Sequence, residues 1–339
     1  MIFTIFTGGT IGSTVKSDGS IGTDSTAAYE LIELYRKAGG EANLEISMPI
    51  NILSENLASE HIMAIIEEVR KDLTKPDLDG IVITHGTDTL QYTAAILSYV
   101  FADVQIPIVM VSANRILSDE RSNGVVNFYF AVRFIQDRHG NGVFVCYRND
   151  GEFPVIHRGN RLGNPVVFSD YVYSVRGQYY GRFVCNGDLR ETWLEASYEP
   201  CDNYSVDPDN RVKLIGAKDC TLSPDTAGIM RVNAAPGIVY PHIPDYVRVI
   251  LLNSYHSGTI CLDERMITFL GEAHGRDIPV FLLGLAGDAA LYETIRSYDE
   301  YGIIPLYDCA PIAQYCKLWL LMSNHYDLDS MTGCCCEER

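Results

Sequence analysis

Residues 1–13, MIFTIFTGGTIGS, carry an apolar strand pattern that breaks abruptly into Thr7-Gly8-Gly9-Thr10. Glycines at a strand end let the backbone turn tightly and come close to a ligand. N–H groups left free in such a turn can face an anion or a developing oxyanion. A plain Gly-rich turn accounts for the stretch equally well. It is neither a dinucleotide fingerprint nor a P-loop, because GxGxxG is absent and no GK[ST] follows.

The same strand pattern recurs along the chain. Runs typical of buried strands lie near residues 1–6, 79–84, 107–112 and 142–147, and SEHIMAIIEEVRKDL and TLQYTAAILSYVFA between them carry apolar residues at helical spacing. YVRVILLNS, DERMITFLGEAHG, IPVFLLGLAG and APIAQYCKLWLLMS repeat the style in the second half. Strands alternating with helices predict an α/β fold with parallel sheets and crossover helices. The polar, Pro- and Asp-rich stretch 198–225 reads as a linker. At 339 residues the chain has room for two domains. Ligands of such sheets bind where the carboxyl ends of the strands converge, so chemistry is sought there.

Two more strand ends carry suitable groups. Thr84-His85-Gly86-Thr87-Asp88-Thr89 stands between a buried strand and a helix. Thr87, Asp88 or Thr89 could cap that helix, yet a hydroxyl beside a carboxylate also suits a nucleophile or a water-activating pair. His85 reads as a packed strand-end histidine. Ser54-Glu55-Asn56 follows another short apolar run. Ser54 or Ser59 could be a helix cap, or Ser54 and Glu55 could clamp a carboxylate and an ammonium.

Composition narrows the classes. The net charge of −18 repels phosphate backbones and anionic lipid, and the few Lys and Arg form no stripe, so neither nucleic acid nor a membrane is an expected partner. No tract is apolar over the roughly 18 residues a membrane span needs, and no secretory signal opens the chain, so a cytoplasmic location is expected. The ten cysteines lie singly, apart from Cys334-Cys335-Cys336, and read as reduced thiols, with the CCC tail disordered. No metal or organic cofactor is implied, because no His/Cys/Asp cluster shows ligand spacing.

Together TGGTI and HGTDT, in this order, resemble the L-asparaginase and glutaminase-asparaginase family, and most closely its cytoplasmic type I branch. VSANRILSDERSNGVVNFYFAV, RGNR at 158–161, NSYHSGT and the terminal APIAQYCKLWLLMS extend the resemblance over nearly the whole chain. It implies a larger doubly wound N-terminal domain over 1–197 and a smaller Rossmann-like C-terminal domain over 226–325, with 326–339 as a tail. Carried over by position, it implies that Thr10 attacks a side-chain amide to give an acyl-enzyme that water hydrolyses. Thr87 and Asp88 then polarise the amide or activate water, Ser54 and Glu55 clamp the substrate's amino-acid end, and Gly9 and Gly86 contribute to the substrate-binding pocket. It further implies a homodimer or homotetramer whose neighbouring copy helps close the site, with acidic residues between Asp288 and Glu300 as candidates to reach across.

The match departs from the family at two catalytic positions. Ser20 falls where the family has a tyrosine, and Asn164 where it has a lysine; no lysine occurs between Lys75 and Lys213. Lys16, Tyr29 and Tyr255 are the nearest candidates to substitute, while Arg161 keeps a charge but cannot act as a base. A positioned acid or base contributes typically 10²- to 10⁴-fold. The expectation is therefore an asparaginase-like amidohydrolase, with a weakened or inactive amino-acid-binding relative as the alternative. A nucleotide-binding α/β protein is a third reading, which lacks a phosphate motif.

Overall fold

A computed structural model describes residues 1–185, 191–195, 220–287 and 292–333. The strands in the first half are β1 (Ile2–Phe6), β2 (Ser13–Val15), β3 (Ile21–Thr23), β4 (Leu44–Ser47), β5 (Gly80–Thr84), β6 (Pro107–Val111), β7 (Gly142–Tyr147), β8 (Val155–Arg158), β9 (Gly181–Cys185) and β10 (Glu191–Glu195). Eight of them form one sheet in the order β10-β9-β8-β7-β6-β5-β1-β4, and β2 and β3 form a separate antiparallel hairpin.

Every residue of β1, β5 and β6 is buried, because helices cover both faces of this part of the sheet. Alternate side chains serve opposite faces. Phe3 and Ile5 pack with α2 (Ser59–Asp72) and α3 (Leu90–Val100), whereas Ile2 and Phe6 pack with α1 (Thr26–Lys37) and α4 (Gly124–Gln136). The sheet is not wholly parallel, as the strand and helix alternation led us to expect. β1 and β4–β7 run parallel, but β8, β9 and β10 extend the sheet antiparallel. Residues 148–154 between β7 and β8 are too few to hold a crossover helix, so the chain must return beside itself.

The second sheet, β11 (Ile229–Asn233), β12 (Val249–Asn253), β13 (Val280–Leu285) and β14 (Ile303–Tyr307), is parallel in that order. It is accompanied by α5 (Glu264–His274), the single turn α6 (Glu293–Arg296) and α7 (Pro311–Ser323). α7 does not stay with this sheet alone: Ile312, Ala313, Cys316 and Leu320 join the buried cluster that contains α3. Hence α3 is buried at every residue except Tyr92. Arg176, in the segment before β9, meets Asp308, just after β14, at 2.7 Å.

Most of the expected linker, and the CCC tail, lie outside the described residues. Its described end is not free: Ser223 accepts from Trp319 Nε1 at 2.9 Å and donates its N–H to Ser323 Oγ at 3.0 Å. Cys146, Cys220, Cys261, Cys309 and Cys316 are free thiols, and burial raises those of Cys146, Cys220 and Cys316. No described helix is long and apolar enough to cross a membrane.

Candidate active site at the carboxyl ends of β1 and β5

The chain leaves β1 for β4 on one side and leaves β5 for β6 on the other, so the carboxyl ends of β1 and β5 flank the point where the winding reverses. Doubly wound sheets open a crevice there. The two central sequence stretches meet in it. Gly9, at φ 71°, lies so close to Gly86 that a Cβ built on it would stand 2.4 Å from both the N and the Cα of Gly86. Ser54 completes the junction, because a Cβ on Gly86 would fall 2.2 Å from Ser54 Oγ. Sequence-distant Gly9, Ser54 and Gly86 are thus neighbours, with Thr10, Glu55 and Thr87 the next residues along each strand end.

Structural hydroxyls separate cleanly from unused ones. Thr7 Oγ1 donates to the Thr84 carbonyl at 2.6 Å, tying β1 to β5. Ser13 Oγ donates to the Gly9 carbonyl at 2.7 Å, and Thr89 Oγ1 to the Ser54 carbonyl at 2.9 Å. These bonds hold the three turns together. By contrast, the side chains of Thr10, Ser54, Glu55, Thr87 and Asp88 make no hydrogen bond or ion pair among the described residues. Thr10 and Thr87 are half-buried, Ser54 is buried, and Glu55 and Asp88 are exposed.

Capping does not explain the Thr87–Thr89 run, since Thr89 stands at the N-cap of α3 without a side-chain cap bond. Nor are Ser54 and Ser59 caps: α2 begins instead with the Ala58 N–H donating to His61 Nδ1 at 3.1 Å. The N–H groups of Gly9 and Gly12 are also not free to face an anion, because they donate to the carbonyls of Ile52 and Gly9.

His85 is the packed histidine the sequence suggested. It is 1% exposed, and burial lowers its pKa to about 4. Its Nδ1 lies 2.9 Å from the Gly86 carbonyl, which can only accept, so Nδ1 carries the proton and Nε2 accepts from Thr93 Oγ1 at 2.9 Å. The ring bolts the Gly86 turn to α3. Sequence reasoning found the residue but not this link, whose partner lies one helical turn inside α3.

The residues at the two departing positions, and the candidate substitutes, stand on segments other than the ends of β1 and β5. Ser20 is exposed in the β2–β3 turn, its hydroxyl donating to Asp18 at 2.6 Å. Asn164 begins the exposed stretch 164–171. Tyr29 is 61% exposed on α1, and Tyr255 follows β12 in the smaller sheet. Lys16 folds back over Gly22, its Nζ 2.4 Å from where a Cβ would be. Buried Arg161 donates to Gln178 at 2.9 Å. Of the acidic stretch 288–300, residues 288–291 lie outside the described residues, while Glu293, Asp299 and Glu300 are exposed. Among the described residues no three of His, Cys, Asp and Glu are gathered as a metal site.

Comparison with known proteins agrees with the fold. Residues 1–164 match the family model described as asparaginase, N-terminal. A glutamyl-tRNA(Gln) amidotransferase subunit from Methanopyrus kandleri is 35% identical over 334 residues, covering 95% of this chain and 70% of that one. Its counterpart in Methanobrevibacter smithii is 28% identical, over 94% of this chain and 71% of that one. Among solved structures, the thermostable L-asparaginase from Thermococcus kodakarensis has a TM-score of 0.72 at 24% identity, covering 100% of this chain and 97% of that one. L-asparaginase I from Vibrio cholerae also has a TM-score of 0.72, at 23% identity, over 97% and 94% of the two chains. With two α/β sheets arranged as in those enzymes, and sequence relatives along nearly its full length, the chain belongs to the asparaginase family.

Proposed function

We propose that the protein is an amidohydrolase that cleaves the side-chain amide of asparagine, glutamine or a related amino-acid amide and releases ammonia. The observation that supports this most is the set of unengaged side chains around the Gly9–Gly86 contact: Thr10, Thr87, Asp88, Ser54 and Glu55. Thr10 Oγ adds to the amide carbon, the amide nitrogen leaves as ammonia after taking up a proton, and water releases the acid from the acyl-enzyme. Thr87 and Asp88 position the water or polarise the carbonyl. Ser54 donates to the substrate carboxylate, and the carboxylate of Glu55 attracts its ammonium.

Its relatives are named as amidotransferase subunits, so glutamine stands beside asparagine as a substrate to test. A net charge of −18 argues against direct contact with a tRNA backbone. We further propose two domains, divided within the polar stretch 198–225, and a homodimer or homotetramer. The second reading, a binding protein with little or no turnover, rests on exposed Asn164 and Ser20 at the family's lysine and tyrosine positions.

Ammonia release from L-asparagine, L-glutamine and N-substituted amides decides between them. Turnover by wild type that disappears in Thr10→Ala is expected. Binding of an amide by a silent wild type would replace the first reading with the second.

A further inference from the structure

Beside the crevice, at the carboxyl ends of β6 and β7, lies a cleft of about 270 Å³ whose lining includes Arg115, Arg121, Tyr147, Arg148, Asp150 and Asp170. Its volume falls at the small end of ligand pockets. Side-chain amides make its frame rigid. Asn123 accepts from the Asn114 N–H at 2.9 Å and donates to the Arg148 carbonyl at 2.8 Å, and Asn114 accepts in return from the Asn123 N–H at 3.1 Å. Asn127 accepts from the Arg148 N–H at 2.8 Å. Asn149, between Arg148 and Asp150, bonds both the N–H and the carbonyl of Val172, next to Tyr171, each at 2.9 Å.

The backbone of this frame is satisfied, but not every charge around it is paired within the protein. Arg121 is held by Asp119 at 2.7 and 3.0 Å, and Arg115 lies 3.9 Å from the same carboxylate. Half-buried Arg148 has no ion pair or side-chain hydrogen bond among the described residues, and neither have Asp150 and Asp170, which stand solvent-exposed at the rim. The Tyr147 hydroxyl is buried, with Asn123 and Asp170 the groups that face it. A simple anion would answer the guanidinium and leave the two carboxylates opposed to it. A simple cation would do the reverse. A ligand carrying both charges on adjacent atoms satisfies both walls through charge-assisted bonds.

We propose that this cleft binds an α-amino acid as its zwitterion, its carboxylate on Arg148 with Arg115 nearby, and its ammonium between Asp150 and Asp170. The site shares no residue with the Thr10 crevice, so it stands or falls independently of the amide chemistry.

The test is equilibrium binding of L-asparagine, L-glutamate and glycine to the full chain carrying Thr10→Ala, with acetate and methylammonium as single-charge probes. The expected result is a binding component that weakens about tenfold or more in Arg148→Gln and again in Asp170→Asn, on the exposed 164–171 stretch, but is unchanged in Glu55→Gln. Acetate and methylammonium should each bind far more weakly. Amino-acid binding that ignores both cleft variants would overturn the proposal, as would acetate binding as tightly as the amino acids.

Discussion

Gly9 and Gly86 touch backbone to backbone, with no room for a side chain on either. On Gly86 a methyl group would displace Ser54 Oγ, 2.2 Å away, and the Ser54 side chain is the softer of the two neighbours. Gly86→Ala should therefore fold with modest loss of stability while weakening the proposed amino-acid clamp, raising KM by about tenfold or more. On Gly9 the methyl group would strike the backbone of Gly86 at φ 71°, where strain alone costs roughly 1–3 kcal/mol. Thermal melts and steady-state kinetics of the two variants should part company, with Gly9→Ala the less stable.

Asn164→Lys places an amine where the resemblance puts the family's lysine. If the deficit at that position limits turnover, ammonia release should rise by about 10²-fold or more with little change in KM. An unchanged rate would mean that another group already serves.

Two buried histidines tie stability to pH. His85 and His157 have pKa values lowered by burial to about 4 and about 3, from 6.5. The unfolded chain takes up these protons first as pH falls, so native stability declines from about pH 6.5 and flattens only below the folded values. Each site contributes a slope of about 1.4 kcal/mol per pH unit in that window. Denaturant midpoints at pH 7.5, 6 and 5 should fall in order, and less steeply in His157→Gln. A flat profile in both would remove the account.

Asp308 is 4% exposed and receives Arg176 at 2.7 Å and the Gly287 N–H at 3.0 Å. Asp308→Ala removes both bonds and, with Arg176 over a third exposed to water, should cost about 1–2 kcal/mol, read as a lower denaturant midpoint.

Legibility in the sequence followed burial. β1, β5, β6 and β7 announce themselves because helices on both faces require unbroken apolar runs. β4 is half-exposed, as LEIS, and β8 carries His157 and Arg158, so neither shows that signal. The residues proposed for the site were readable from three short stretches, but the bonds that assemble them were not. Thr7 reaches the carbonyl of Thr84 and Thr89 that of Ser54, pairings 77 and 35 residues apart that no local pattern encodes. The asparagine frame behind Arg148 was invisible for the same reason.

The docking of α7 on α3 has a consequence for how the protein is made. The outer face of α3 waits for residues 311–323, which the ribosome adds some two hundred residues later. Until then the part of α3 around Tyr92, which Tyr315 and Cys316 come to meet, lacks its final cover, and the first-made sheet cannot finish packing before the end of the chain is added. A ribosome stalled before α7 would hold a chain with the crevice strands already paired and one helix still open to chaperones.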